Sequence, residues 1–313
     1  MINNKTKWIY IAGVCLFAFS IIILPGCHGD GDRTDLDTNE SGVIHISVDE
    51  SFKPVIDSQI QVFEALYPKA KIIAEYKPEA DCFKDLIKDS TRMIIVTRGL
   101  TPDEEQFYKD SLSYAVTWSK VANDAVAVIV NNNAPDSLFT IDELRGILEG
   151  TTGDKQVAVF DGLKATSTVQ FAVDSILRGK SFDPKKVFAE KNSQAVIDYV
   201  SHNNNVIGFV GVSWIGNKED TSQVTFLKSV RIASLQCTCP EKSYVKPYQA
   251  NILRHRYPLV RGLYYILKEN YNGLGSGFAN FLEYEKGQLI FRRAYLAPTK
   301  ISFSIREATL NSQ

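Results

Sequence analysis

The sequence has 313 residues, with 35 Lys and Arg against 36 Asp and Glu, a net charge of −1, and 44% hydrophobic and 23% charged residues. This is the composition of a folded chain of about two domains. It lacks the basic excess expected of a non-specific nucleic-acid binder, and its four histidines and five scattered cysteines offer little for a zinc centre or a disulfide scaffold.

Residues 1–26 read as a signal peptide. Lys5 and Lys7 precede an uncharged apolar stretch of 17 residues, Trp8 to Leu24, which is short for a bilayer span. Pro25-Gly26-Cys27 follows, and Leu24 to Cys27 resembles the lipobox of bacterial lipoproteins, in which the cysteine is diacylated. Cys27 is therefore the expected lipidation site, and cleavage before it removes two lysines and no acid. His28 to Ser41 carries five acids and one arginine with almost nothing apolar. Residues 27–42 are thus expected to form a flexible tether that holds the folded part just above a membrane.

The ordered chain is expected to begin at Val43. Val43–Val48 reads as a buried strand, and the helix after it opens near Pro54, a favoured first-turn residue. Lys71–Tyr76 and Arg92–Thr97 are the next strands. Thr101-Pro102-Asp103-Glu104 and Thr140-Ile141-Asp142-Glu143 are capping boxes. Ala125–Val130 is an uninterrupted apolar run, the mark of a strand covered on both faces. Strands are expected at Gln156–Phe160, Val206–Gly211, Val224–Leu227 and Val230–Leu235. Helices are expected at Val169–Leu177, Gln194–Val200, Tyr257–Asn270 and Phe278–Ala294. The alternation predicts an α/β chain of two doubly wound lobes joined by a two-segment hinge, near Trp118–Val121 and Thr221–Thr225. The first lobe would take 43–118 plus 226–301, the second 119–225, with 302–313 a C-terminal tail.

No catalytic motif stands out. Gly150 to Lys155 lacks phosphate-loop spacing and follows a helix, so it reads as a capping turn. The glycines of 273–277 follow no strand, as a dinucleotide fingerprint requires. There is no Gly-x-Ser-x-Gly elbow, and the histidines lack zinc-ligand spacing. Cys237 and Cys239 are too close for a redox Cys-x-x-Cys, which leaves a bridge between them, a pair with Cys82 or free thiols. No enzyme, metal or cofactor is expected.

What remains is a set of hydroxyl-rich loops that feed helix starts: Ser51-Phe52, Thr97-Arg98, and Thr166-Ser167-Thr168. Unpaired backbone N–H groups and a positive dipole end make a helix start suited to an oxyanion. Ser51, the Phe52 backbone, Thr97, Arg98, Thr166, Ser167 and Thr168 are the candidate ligand contacts.

Across residues 43–300 the chain resembles the substrate-binding lipoproteins of phosphate ABC transporters, in the type II periplasmic binding-protein superfamily. The resemblance rests on Val121–Asn131, Phe139–Gly150, Val206–Gly211, Tyr257–Tyr264, and Gly287–Ile290 ahead of Ala297-Pro298. It implies a monomer in the bacterial cell envelope, lipid-anchored, that closes two lobes on inorganic phosphate or another small oxyanion and delivers it to a transporter permease. The chain departs from the family at two points. Gly162 stands where the family has a phosphate-binding arginine, so Arg98 or Lys164 is expected to supply the charge. Met93 or a neighbour stands where the family has a proton-accepting aspartate. A lipoprotein of the same fold that senses an anion without transport is the alternative. An enzyme acting on a small phosphorylated substrate has no nucleophile or base in its support.

Overall fold

A computed structural model describes residues 37–152, 156–162, 166–217 and 220–300. The signal peptide, Cys27, most of the tether, Lys164 and the 302–313 tail lie outside the described residues. No described helix is long and apolar enough to cross a membrane.

Strand β1 (Ser41–Asp49) pairs in parallel with β2 (Lys69–Lys77) and β3 (Thr91–Val96), with helix α1 (Lys53–Leu66) as the first crossover. Helices α2 (Glu79–Asp85) and α3 (Pro102–Leu112) follow β2 and β3. Strand β4 (Thr117–Asn131) is 15 residues long and carries the apolar run buried throughout Ala125–Val130. Beyond it lie β5 (Leu138–Phe139), α4 (Ile141–Glu149), β6 (Val157–Phe160), α5 (Ser167–Ser175), β7 (Val187–Ala189), α6 (Ser193–His202) and β8 (Val206–Gly211). The chain then forms α7 (Thr221–Phe226), β9 (Val230–Ile232), β10 (Ser234–Gln236), β11 (Tyr244–Val245) and α8 (Gln249–Leu253). It ends with β12 (Val260–Leu267), α9 (Leu274–Glu283), α10 (Glu285–Arg293) and β13 (Ala297–Pro298).

The main sheet runs β2-β1-β3-β12-β4-β8-β6-β7, with β9 and β13 also paired to β4. Its outer thirds are parallel βα units, and β12 and β4 join them as antiparallel central strands. Both predicted capping boxes form, at Thr101 with Glu104 and at Thr140 with Glu143. Gly150 closes α4 with φ +69, the left-handed turn its sequence predicts.

Four expectations need correction. The segment 257–270 is not a helix but strand β12, the link between the two halves of the sheet. Its apolar spacing at Leu259, Leu263 and Ile266 mimics a helix, because a central strand is covered on both faces and loses its alternation. Val224–Leu227 is not a strand: Asp220 caps the backbone N–H groups of Ser222 and Gln223 and starts α7 there, at the place expected to be a hinge. The single helix expected at 278–294 is two, divided at Tyr284. Order also begins before Val43, since Asp37 accepts hydrogen bonds from Tyr271 Oη at 2.6 Å and the Leu274 amide at 2.9 Å. Strands β9 and β10 pair with β4 and β5, on the side of 119–225.

Candidate functional site

The site forms where β1, β8, β12 and α5 meet. Arg261, on β12, is the only arginine among the described residues with a fully buried guanidinium: its side chain is 2% exposed and that of its ion-pair partner Asp124, on β4, is 0% exposed. Arg261 Nε donates to Asp124 Oδ2 at 2.8 Å. Its two other nitrogens reach opposite halves of the sheet. Nη2 donates to Ser51 Oγ at 2.8 Å, in the 3-10 turn after β1, and Nη1 to Ser167 Oγ at 2.9 Å, at the first residue of α5. The guanidinium carbon stands 5.2 Å from the centre of the Phe52 ring. Burying a charge this deeply is tolerable only when it is paired and hydrogen-bonded, and every nitrogen of this guanidinium is.

Backbone contacts hold the hydroxyls in place. Ser51 N–H and Oγ both donate to Asp49 Oδ1, and Ser51 carbonyl accepts from Ser213 Oγ at 3.1 Å. Gly211 closes β8 against this turn; a Cβ there would lie 2.9 Å from the Ser51 carbonyl oxygen and 3.3 Å from Arg261 Nη2. Helix α1 starts with no side-chain cap, and its first-turn donors are few, because Lys53 N–H donates to the Glu50 carbonyl and Pro54 has no N–H. Thr166 caps α5 through the Val169 amide, and Thr166 and Thr168 hydroxyls donate to Asp161 at 3.0 and 3.4 Å.

A cavity of about 630 Å³ opens on this cluster, lined by Arg261, Ser167, Thr166, Thr97, Arg98, Glu79, Phe83 and Phe171, among others. It is several times the volume of one tetrahedral oxyanion. The carboxylates around it are unusually basic. Burial and the charge of Asp49 push Asp161 up to about 6. Burial pushes Glu50 up to about 7, against its acceptance of the Ser193 hydroxyl at 2.7 Å and the Ser193 amide at 3.3 Å. Burial also raises Glu79, which accepts from Thr97 N–H and Oγ1, each at 2.6 Å. The remaining oxygen of Asp49, Oδ2, is buried with no partner.

The expected contacts therefore divide. Ser51, Phe52 and Ser167 surround Arg261, and Thr166 and Thr168 stand one residue to either side on Asp161. Thr97 faces the cavity with its hydroxyl committed to Glu79. Arg98 also lines the cavity, but its guanidinium is paired bidentately with Glu104 at 2.7 and 2.8 Å and lies 4.2 Å from the Phe83 ring centre. The cation at the centre is Arg261, which the sequence reading placed on a helix and assigned no role. The one local signal is Asp124, the single acid of β4, directly ahead of the apolar run Ala125–Val130. Met93, in the position read as lacking the acid, is wholly buried in β3, while Asp49, Glu79 and Asp161 bring carboxylates from elsewhere.

The chain belongs to the PBP superfamily, whose domain model matches residues 34–284. Its fold is that of the type II periplasmic binding proteins. It is similar to a protein described as a phosphate ABC transporter substrate-binding protein, with bound phosphate, from Clostridium perfringens, at 19% identity and a TM-score of 0.67, covering 83% of this chain and 100% of that one. An ABC-type phosphate transport receptor from Vibrio cholerae matches at 18% identity and a TM-score of 0.60, covering 81% and 99%. The regulatory domain of MetR, a LysR-family regulator from N. meningitidis, matches at 11% identity and a TM-score of 0.53, covering 82% and 98%. No curated protein matches the chain.

Proposed function

We propose that this chain is a binding protein that captures a small oxyanion, phosphate foremost, around Arg261 and passes it to an ABC transporter permease. One observation carries the reading: a buried guanidinium that reaches hydroxyls on both halves of the sheet, Ser51 at 2.8 Å and Ser167 at 2.9 Å. An anion entering the cavity would accept from the Arg261 Nη groups and the two serine hydroxyls. Asp49 Oδ2, buried and unpartnered, would accept a hydrogen bond from a protonated ligand oxygen, the role left open at Met93. The cavity exceeds one oxyanion, so capture involves approach of the two halves, 43–118 with the β12–α10 region against 119–225. The hydroxyls have an arginine and carboxylates as partners, an arrangement for binding and not for nucleophilic attack. The phosphate-binding descriptions of the two transport neighbours support the choice of ligand.

The same proposal places the protein in the bacterial envelope as a monomer, lipid-anchored through Cys27. Replacing Cys27 with Ser should release it from membranes, and a variant that still partitions with them would remove the anchor from the reading. Titration calorimetry against phosphate, sulfate, molybdate and arsenate tests the ligand: phosphate is expected to bind, and heat from none of the four would overturn the reading. A second reading is a lipoprotein that senses an anion without transport. It is favoured by the excess of acids, since Asp49, Glu79, Asp124 and Asp161 surround one central arginine. Uptake of labelled phosphate by cells with and without the protein separates the two.

A further inference from the structure

We propose that Cys237 and Cys239 form a redox-active pair that exchanges with a dithiol reductant, with Cys239 as the reactive sulfur. The two are joined in a disulfide, with Cα atoms 5.1 Å apart, in the loop between β10 and β11. A bridge over a sequence separation of two closes almost no loop, so it removes little entropy from the unfolded chain and serves poorly as a staple. The surroundings of the sulfurs fit exchange better. Cys237 is 3% exposed and Cys239 is half-buried, so one sulfur is open to attack and the other is sheltered.

Arg256 supplies the electrostatics. Its Nη2 donates to Cys239 Sγ at 3.8 Å and to Ser243 Oγ at 3.4 Å, and Ser243 Oγ stands 3.5 and 3.7 Å from the two sulfurs. Among the described residues Arg256 has no carboxylate partner, and its Nε is buried without a hydrogen bond. The segment that carries it is fixed, because Thr238 N–H donates to the Arg256 carbonyl at 3.1 Å and Thr238 Oγ1 to the His255 carbonyl at 2.6 Å. Glu241 is the opposing charge: its carboxylate lies within 4.8 Å of both sulfurs, but the residue is exposed to water. A cation beside a partly open sulfur lowers its thiol pKa and makes it the better leaving group.

The exchange balances. A thiolate of the reductant attacks Cys239 Sγ, the Cys237–Cys239 bond breaks, and its electron pair leaves on Cys237 Sγ, which takes a proton from water. The reductant's second thiolate then attacks its own sulfur in the mixed disulfide and expels Cys239 as a thiolate paired with Arg256. The protein gains two electrons, and the reductant leaves as its cyclic disulfide.

The test uses the full chain in native buffer with dithiothreitol and a chelator, followed by iodoacetamide alkylation across pH and peptide-resolved mass spectrometry. The expected result is reduction without loss of the circular-dichroism signal, alkylation of Cys239 about tenfold faster than Cys237, and a Cys239 rate midpoint below the ~8.5 of a free thiol. Arg256→Gln should move that midpoint up by about one pH unit, and Arg256→Lys by less. A pair that is reduced only on unfolding, or a Cys239 midpoint at or above that of a free thiol, would overturn the proposal. These two readings come from the native protein, so they decide the matter even if the Arg256 variants do not fold.

Discussion

Two arginines line one cavity and are used in opposite ways. Arg98 sits 47% exposed after β3, paired with Glu104 and stacked on Phe83, where solvent screens its charge. Arg261 sits on a central strand at 2% exposure and is bonded to Asp124, Ser51 and Ser167. The chemistry of the two groups is identical. What differs is the element that carries each one: a loop lets a guanidinium choose a surface acid, while a strand covered on both faces forces it to find buried partners. For ligand capture the buried one matters, because an interaction with a desolvated anion is not screened.

Removing Arg261 should therefore have the largest effect. Arg261→Ala leaves Asp124 buried and unpaired, which costs about 3–5 kcal/mol of stability in sites of this kind. Oxyanion binding should disappear as well. The double variant Arg261→Met with Asp124→Leu removes both charges and should recover much of the melting temperature without recovering binding. Chemical denaturation and calorimetry on the three proteins check this, and an Arg261→Ala protein that binds phosphate normally would dissolve the contrast between the two arginines.

The same contrast divides the carboxylates and fixes a pH dependence. The Arg98 guanidinium holds Glu104 down to about 2, so the stability that pair adds is present above 4.5 and is lost only as pH falls towards 2. Burial pushes Glu50 in the opposite direction, from 4.5 up to about 7. The folded protein then holds a proton on Glu50 that the unfolded chain has released, so stability falls as pH rises from 4.5 to 7 and is level above that. A shift of this size corresponds to roughly 3 kcal/mol. Glu50→Gln should flatten that slope and be more stable than the native protein at pH 8, as read by urea unfolding at pH 5 and 8. Asp161, pushed up to about 6, leaves a residual slope in the same direction. A variant that keeps the full slope would show that Glu50 is ionised throughout.

The effect at Ser167 should be smaller. Loss of one hydrogen bond to a charged group costs about 1.5–3 kcal/mol, so Ser167→Ala is expected to weaken oxyanion binding about tenfold or more. The fold should stay intact, because Thr166, not Ser167, caps α5. Calorimetry should show Ser51→Ala behaving alike. A tenfold loss in one variant and none in the other would mean that the ligand engages only one half of the sheet.

How much of this was legible depends on how local each signal is. Ser51 and Ser167 could be picked out because a helix start is written in a few consecutive residues, as are the Thr101 and Thr140 capping boxes. The Val- and Ile-rich strands were legible for the same reason. Arg261 was not, because its meaning comes from partners 94 and 210 residues away and from a strand whose two covered faces erase the period of two. At Val224–Leu227 the apolar and β-branched residues point to a strand, while the single Asp220 cap decides for a helix over Thr221–Phe226. Patterns closed within a few residues were readable, and those completed by tertiary pairing were not.

The smallest expected effect is at Arg98, and it tests the comparison most directly. The sequence alone allowed Arg98 to stand in for an arginine missing at Gly162, in which case its loss would be the most damaging. In the structure its bidentate partner is Glu104, with the two side chains 47% and 32% exposed. Exposed pairs contribute about 0–1 kcal/mol because solvent and salt screen them. Glu104 would still close the capping box with Thr101 after the arginine is gone, so α3 keeps its start. Arg98→Ala should thus leave oxyanion affinity within about twofold and shift stability by less than 1 kcal/mol, with the Glu104 carboxyl titrating closer to its ordinary value. Affinity measured at low and high salt gives the sharper reading. If Arg98 contributes only through the long-range field, its small effect vanishes in high salt. If it swings from Glu104 to the ligand on closure, the loss would be about tenfold or more and would persist in high salt, and the two arginines would then act as a pair.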